Sequence, residues 1–541
     1  MIESSDDWRF DSSYGQPIVK DGCGVLGLIR KPGAPQISSK NAVIGLSCIK
    51  YRGSDLGAGY ACFDSSNLDK IKIKAFVKDE TVRKFIESEL SILLGAPLFS
   101  RLETLDNKSL RKILDLEFEY SGVGESNLDR KVDQINSTLL SNRRIEGRIF
   151  SYGRSVSVFK EVGYPQDVAK MFGLDAENEK FGDVWLGHTR QPTNSPGSSP
   201  IWSHPFSSFD CAIVHNGDIS SFGANLELLN SLGFRSHVGT DSEVIANLLN
   251  YLIRIEGLSV VEAATVLTNP FAERLQPGTL ALLSKYKGAK LDGPFAVVAG
   301  YSDETDSYLI ALTDRSKFRP IVLGEDDDFF YVASEENQIR ILSAEARIWT
   351  PEPGSFFIAS VKKGLIESGT ARVTLNSFWA GTGDLDATGE ITDTTGMSFG
   401  KINEKIHNSY EIGCNSIQFS NLSGQRYVGI GFSTKKSDRP FKIRLSGFPG
   451  NCLANLNDGA AFEVFGNVGD DLGDTMHSGQ ILIHGSARDV VAQALQGGEI
   501  FIRGSVGNRA AIQMREYKHH RPFLIVGETS DDYLCEYMAG G

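Results

Sequence analysis

The stretch CGVLGLIR at residues 23–30 marks the point where the chain turns from polar to apolar. The 22 residues ahead of it carry five acids and two bases, a net charge of −3, and lack the apolar segment of a secretory signal. From Gly24 onward the run reads as a buried strand with a cysteine at its head. Further out, residues 42–50 (AVIGLSCIK) have helical spacing, and the turn-rich YRGSDLGAGYACF follows at 51–63. Residues 75–180 alternate charged helical stretches such as KDETVRKFIESELSILL with short strands such as RIFSYG. Over 184–350 strands and helices mix: VWLGHTR, CAIVHNGDI, EVIANLLNYLI, PFAVVAGYS, SYLIALTD and FFYVASEE.

At 541 residues the chain exceeds the roughly 250–300 that one core supports, so at least two domains are expected. Hydrophobic residues at 41% and charged residues at 23% exclude a largely disordered chain. No apolar run approaches the roughly 18–20 residues of a membrane span. A net charge of −13 argues against an extended nucleic-acid surface. The seven cysteines, at 23, 48, 62, 211, 414, 452 and 535, are odd in number and widely spaced, with no C-x-x-C. They offer neither a zinc ribbon nor an iron–sulfur cluster, and free thiols predict a reducing, cytoplasmic setting. Residues 380–400 are rich in Gly, Thr and Asp and read as a boundary.

Beyond about 440 the sequence repeats. Gly447, Gly466, Gly485 and Gly504 are 19 residues apart, and Gly527 follows 23 later. The later four end alternating strands, AFEVFG, QILIHG, EIFIRG and FLIVG. Gly459, Gly479 and Gly498 precede three of them. A fixed period of strand, glycine turn and return segment predicts a β-solenoid rather than a meander of hairpins. Glycine suits positions where a coil turns with φ > 0 or stacked backbones come close. The sequence stops at AGG, where another strand would begin, so a further coil or a partner is expected over that end.

Four clusters in the first 350 residues carry candidate chemistry: CGVLG at 23–27, YRGSDLGAG at 51–59, HTRQPTNS at 188–195 with WSHPF at 202–206, and VHNGDI at 214–219 with GTDSEV at 239–244. Each has a bland explanation. Cys23 is a small buried residue. Asn216-Gly217 is a hairpin turn. Thr240 and Glu243 form a helix capping box in which Asp241 only complements the dipole. Arg190 is half of an ordinary ion pair.

Taken together, their order and local spacing resemble the class II glutamine amidotransferases, and most closely the glutaminase domain of glutamate synthase. The resemblance rests on Cys23-Gly24-Val25, Arg52-Gly53, His188-Thr189-Arg190, Pro192-Thr193-Asn194, Trp202, His204-Pro205-Phe206, His215-Asn216-Gly217-Asp218-Ile219, Asn225 and Thr240-Asp241-Ser242-Glu243. Residues 61–180 are less diagnostic. The glycine repeats look like the β-helix that closes the glutamate synthase large subunit.

The resemblance implies an α+β fold, the αββα sandwich of the N-terminal-nucleophile (Ntn) hydrolases, followed by an all-β right-handed parallel β-helix. The implied divisions are a propeptide at 1–22, an amidotransferase domain at 23–360, a linker at 361–400 and the β-helix at 401–541. Cys23 would be the nucleophile, with its own α-amine as base once the propeptide is removed. The Asn216 side chain and Gly217 N–H would hold the oxyanion. Arg190 suits the α-carboxylate of glutamine and Asp241 its ammonium. Thr193 and His204 align near the bound glutamine, and Arg52 beside the nucleophile orders the site. Phe295 and Asp314-Arg315 lie in structural strands. Two residues depart from the family pattern: Gln191 replaces a common aromatic and Asp218 the usual Glu.

The synthase barrel is missing, and only residues 350–440 stand in its place. The chain itself would then hold no cofactor, with FMN and an iron–sulfur cluster on a partner subunit in a hetero-oligomer acting on 2-oxoglutarate. The alternatives are a glutaminase serving another acceptor, as in the synthesis of N-substituted glutamates, and a non-catalytic scaffold.

Overall fold

The computed structural model describes residues 22–541 except 51, 105–111, 123, 141–146, 176–178, 192–198, 272–277, 370, 376–389 and 435–439. The propeptide expected at 1–22 therefore lies outside the described residues, apart from Gly22. Two compact units emerge, Gly22–Trp379 and Ala380–Gly541.

The Gly24–Arg30 strand sits inside an eight-stranded sheet, antiparallel to Val184–Thr189 on one side and Phe329–Ala333 on the other. Both faces of this strand are covered, which is why it reads as a continuous apolar run. Val25 and Ile29 point into a core shared with Val214, Ala296 and Val298 of a second, six-stranded sheet. Leu26 and Leu28 point the other way, into a core with Ala42, Leu46 and Val168 on helices Ser39–Ser47 and Pro165–Met171. The alternation follows the period of two along a strand. Gly27 lies between the sheets, where a Cβ would press on Val298 at 2.8 Å and Leu309 at 2.9 Å. The outer face of the second sheet packs on helices Asp241–Asn250 and Val260–Thr268. The order of layers is helix, sheet, sheet, helix. Truncating one fully buried leucine here, such as Leu26→Ala, is expected to cost about 2–5 kcal/mol.

Residues 70–153 build a separate four-stranded sheet, with helices Glu80–Leu94 and Glu125–Leu139 packed on it. The first unit also runs further than the expected boundary at 360. Gly364–Ser368 pairs with Phe356–Ser360, and Ala371–Leu375 pairs with Arg347–Pro351. The linker expected over 361–400 thus begins inside a sheet. It ends inside the second unit, where Ile391–Asp393 pairs with Ser416–Ser423 and a helix starts at Phe399. These strands are short and carry charges, so their alternation is weak in the sequence.

The second unit holds a seven-stranded sheet whose strands are all parallel and in chain order. Ile443, Phe462, Ile481, Ile500 and Leu524 are in register, as are Leu445, Val464, Ile483, Ile502 and Val526. These columns fill the core. The repeated glycines stack: a Cβ on Gly466 would strike the Gly447 carbonyl, and one on Gly504 would meet the Gly485 carbonyl at 3.0 Å. The return legs hold something the glycines do not announce. Cys452, Ala454 and Leu456 alternate into left-handed backbone, as do Val490, Ala492 and Ala494, then Arg509, Ala511 and Gln513. Each such non-glycine residue costs about 1–2 kcal/mol. The compensation is visible in backbone bonds between neighbouring repeats, such as Cys452 N–H to Asp470 O at 2.9 Å and Val490 N–H to Asn508 O at 2.8 Å.

Candidate active site

Cys23 stands at the mouth of the Gly24–Arg30 strand, half-buried. Its Sγ accepts the Gln191 N–H at 3.3 Å. The carbonyl of Cys23 accepts Arg52 Nε–H at 2.9 Å, while Arg52 Nη1 donates to Glu335 at 2.9 Å in a buried ion pair. Burial pushes the thiol pKa up, against the opposing pull of the Gln191 N–H and the Arg190, Arg52 and Arg319 charges. A thiol held in this way needs a base before it can attack.

The cavity beside Cys23 is lined by Arg190, His204, Asn216, Gly217 and Asp241, together with Gly22, Gln191, Trp202, Phe206, His215, Asp218, Thr240, Ser242 and Arg319. Asn216 and Gly217 close the Cys211–Gly217 strand and stand opposite Ala296 and Phe295. They are part of a ladder, so the hairpin-turn reading fails. Gly217 has φ +129°, and a Cβ there would run into the Pro294 carbonyl. Asn216 is 2% exposed, and its Nδ2 has no acceptor among the described residues. An unsatisfied buried N–H pair costs about 1–3 kcal/mol unless something arrives to take it.

Opposite charges meet in the same cavity. Arg190 follows the Val184–Thr189 strand, with its N–H bonded to Gly57 O at 2.8 Å and its Nη1 to Leu56 O at 3.2 Å. Asp241 opens the Asp241–Asn250 helix. Its carboxylate is aimed by the N–H groups of Ile219 at 3.2 Å and Ser242 at 2.8 Å. Only half of the expected capping box forms. Thr240 Oγ1 accepts the Glu243 N–H at 3.2 Å, but the Glu243 carboxylate turns away to Arg148 at 2.8 Å and the Val238 N–H at 2.9 Å.

Three histidines lie under the cavity wall. His204 Nε2 and His215 Nδ1 both reach Ser242 Oγ, at 2.8 and 3.1 Å. His188 Nε2 donates to the His215 carbonyl at 3.0 Å, and its ring lies 4.0 Å from that of His204. Burial lowers all three pKa values, that of His188 to about 3, which favours neutral rings.

The structure therefore brings Cys23, Arg190, His204, Asn216, Gly217 and Asp241 to one cavity. Arg52, expected to order the site beside Cys23, sits behind it and holds the Cys23 carbonyl, and it does not line the cavity. Thr193 lies outside the described residues. Two lining residues carry roles that the motifs did not assign. His215 was inside a quoted motif. Arg319 was not, because it reaches the cavity through a loop whose Asp314 carboxylate accepts the N–H groups of Phe295, Ser316 and Phe318. Nothing local in the sequence predicts that fold-back.

Comparison with known proteins places both units. Residues 399–541 match the GXGXG motif family. An uncharacterized protein of Archaeoglobus fulgidus is 30% identical over 373 residues, 63% of this chain and 92% of that protein. The glutamine amidotransferase-like protein GlxB of Rhizobium meliloti is 31% identical over 222 residues, 40% of this chain and 64% of its own length. A putative glutamine amidotransferase of Methanothermobacter thermautotrophicus is 24% identical over 340 residues, 61% of this chain and 97% of its own. The N-terminal region is homologous to class II glutamine amidotransferases, and the C-terminal region is a GXGXG motif domain of the glutamate synthase type. The chain belongs to the family of the Archaeoglobus protein. Among the described residues no helix is long and apolar enough to cross a membrane.

Proposed function

We propose that this chain hydrolyses the side-chain amide of L-glutamine and passes the ammonia to a separate synthase subunit that acts on 2-oxoglutarate, the two forming a split glutamate synthase in the cytoplasm. The observation that carries the reading is the buried Asn216 Nδ2 without an acceptor, in one cavity with a thiol, a guanidinium and a carboxylate. Arg190 would take the α-carboxylate and Asp241 the α-ammonium. The Cys23 thiolate would add to the amide carbon, and the resulting oxyanion would be met by Asn216 Nδ2 and the Gly217 N–H. The C–N bond then breaks, ammonia leaves with the proton taken from sulfur, and water hydrolyses the thioester to glutamate.

The base in this scheme is the α-amine of Cys23, whose ordinary pKa of about 8 suits proton transfer near neutral pH. That amine exists only after the Gly22–Cys23 bond is cut, so residues 1–22 act as a propeptide. FMN and an iron–sulfur cluster belong to the partner. The chain-order parallel sheet supports a right-handed β-helix in the second unit, serving to hold the partner rather than to catalyse. Ammonia release from glutamine by the purified chain, with Cys23→Ala as control, tests the hydrolysis. Restored glutamate synthesis on adding an FMN flavoprotein tests the partnership. Flavin absorbance in this chain purified alone would contradict the split.

A further inference from the structure

The structure assigns Lys160 as a positioning residue of the glutamine cavity, its Nζ clamping the backbone on both sides of His204. The inference rests on the glutamine-hydrolysing reading above. Lys160 lies on the Val156–Glu161 strand and is 1% exposed. Its Nζ donates to Ser203 O at 2.8 Å and to Pro205 O at 3.0 Å. It also sits over the rings of Phe206 at 4.7 Å and Phe150 at 5.6 Å. Among the described residues no carboxylate comes within ion-pair distance of it. Burial lowers its pKa well below the ordinary lysine value. A charge kept here is costly, and an apolar side chain of similar length would fill the space more cheaply. The two carbonyls supply the reason for a donor.

The clamped segment also lies close against two glycines, of which Gly59 is the cross-strand neighbour of Lys160. A Cβ on Gly59 would run into the His204 carbonyl, and one on Gly57 into Ser203 Oγ. The same backbone holds Arg190, through the bonds to Gly57 O and Leu56 O. His204 in turn reaches Ser242 Oγ, next to Asp241. One clamp thus ties together the residues proposed for both ends of the amino acid. Lys160 itself does not line the cavity. Its effect on glutamine passes through His204 and the seat of Arg190.

Lys160→Met keeps the volume and deletes the donors, while Lys160→Gln restores an uncharged N–H donor. In the full chain, Lys160→Met is expected to raise KM for glutamine about tenfold with kcat within about threefold of wild type. Lys160→Gln should recover most of that KM at a similar Tm. A merely structural lysine would lower Tm in both variants and leave KM at the wild-type value, and that result overturns the inference. Should Lys160→Met not fold, Lys160→Gln is judged alone. A KM raised about threefold with kcat retained supports the clamp, and a wild-type KM overturns it. A wild-type chain unable to hydrolyse glutamine would overturn the functional reading and this inference with it.

Discussion

The two units differ in where their buried polar groups find partners. In the first unit several such atoms lie near Cys23: Asn216 Nδ2, His188 Nδ1, His204 Nδ1, His215 Nε2 and Ser203 Oγ are buried without a hydrogen-bond partner among the described residues. In the second unit many polar side chains are bonded from one repeat to the next, although Asp471 Oδ1 has no partner among the described residues. Asn467 accepts the Ser486 N–H at 2.8 Å, Ser486 Oγ the Ser505 N–H at 3.1 Å, and Asp489 the Asn508 N–H at 2.8 Å. A repeating fold can give each residue the same partner one coil away. A catalytic cavity must leave some groups unmet so that substrate can meet them.

Substitutions should therefore act on turnover in one unit and on stability in the other. Cys23→Ala has the largest expected effect: glutamine hydrolysis disappears while circular dichroism and Tm stay at wild type. Asn216→Ala should lower kcat by roughly 10²–10³, the usual loss for one oxyanion donor. A change confined to KM would break its assignment. Arg190→Ala should raise KM for glutamine roughly 10–100-fold with little change in kcat, since its charge-assisted contact is made equally in the ground and transition states. In the stack, Gly466→Ala pushes a Cβ onto the Gly447 carbonyl and should cost about 1–3 kcal/mol in a denaturant melt of the second unit, with kcat unchanged.

The smallest effect is on pH dependence. His188, His204 and His215 have folded pKa values below their unfolded ones. Below about 6.5 the unfolded chain takes up protons that these buried rings refuse, so the stability of the first unit should fall from there toward pH 3. Fluorescence of Trp185, Trp202 and Trp349 follows this unit, because residues 380–541 contain no tryptophan. Stability rising over that range would contradict the neutral-histidine wall.

The strand at 24–30, the strands over 184–333 and the 19-residue ladder were legible because apolar alternation and glycine spacing are local signals. So was the convergence of Cys23, Arg190, His204, Asn216, Gly217 and Asp241, through motif order. Three features were not. Lys160 bonds backbone carbonyls 43 and 45 residues away, and a carbonyl leaves no mark in a sequence. Arg319 reaches the cavity through a fold-back held by Asp314, which no local signal marks. The left-handed positions in the return legs, such as Ala454 and Val490, carry ordinary side chains that elsewhere avoid that backbone. Only the stacking of coils makes it affordable.

The most direct test uses 6-diazo-5-oxo-L-norleucine, an electrophile shaped like glutamine, followed by peptide mapping and intact mass of active protein. The account predicts one adduct, on Cys23, with Cys23 as the first residue and with glutamine slowing the labelling. An adduct on another cysteine, or full activity in protein that still retains residues 1–22, would contradict it.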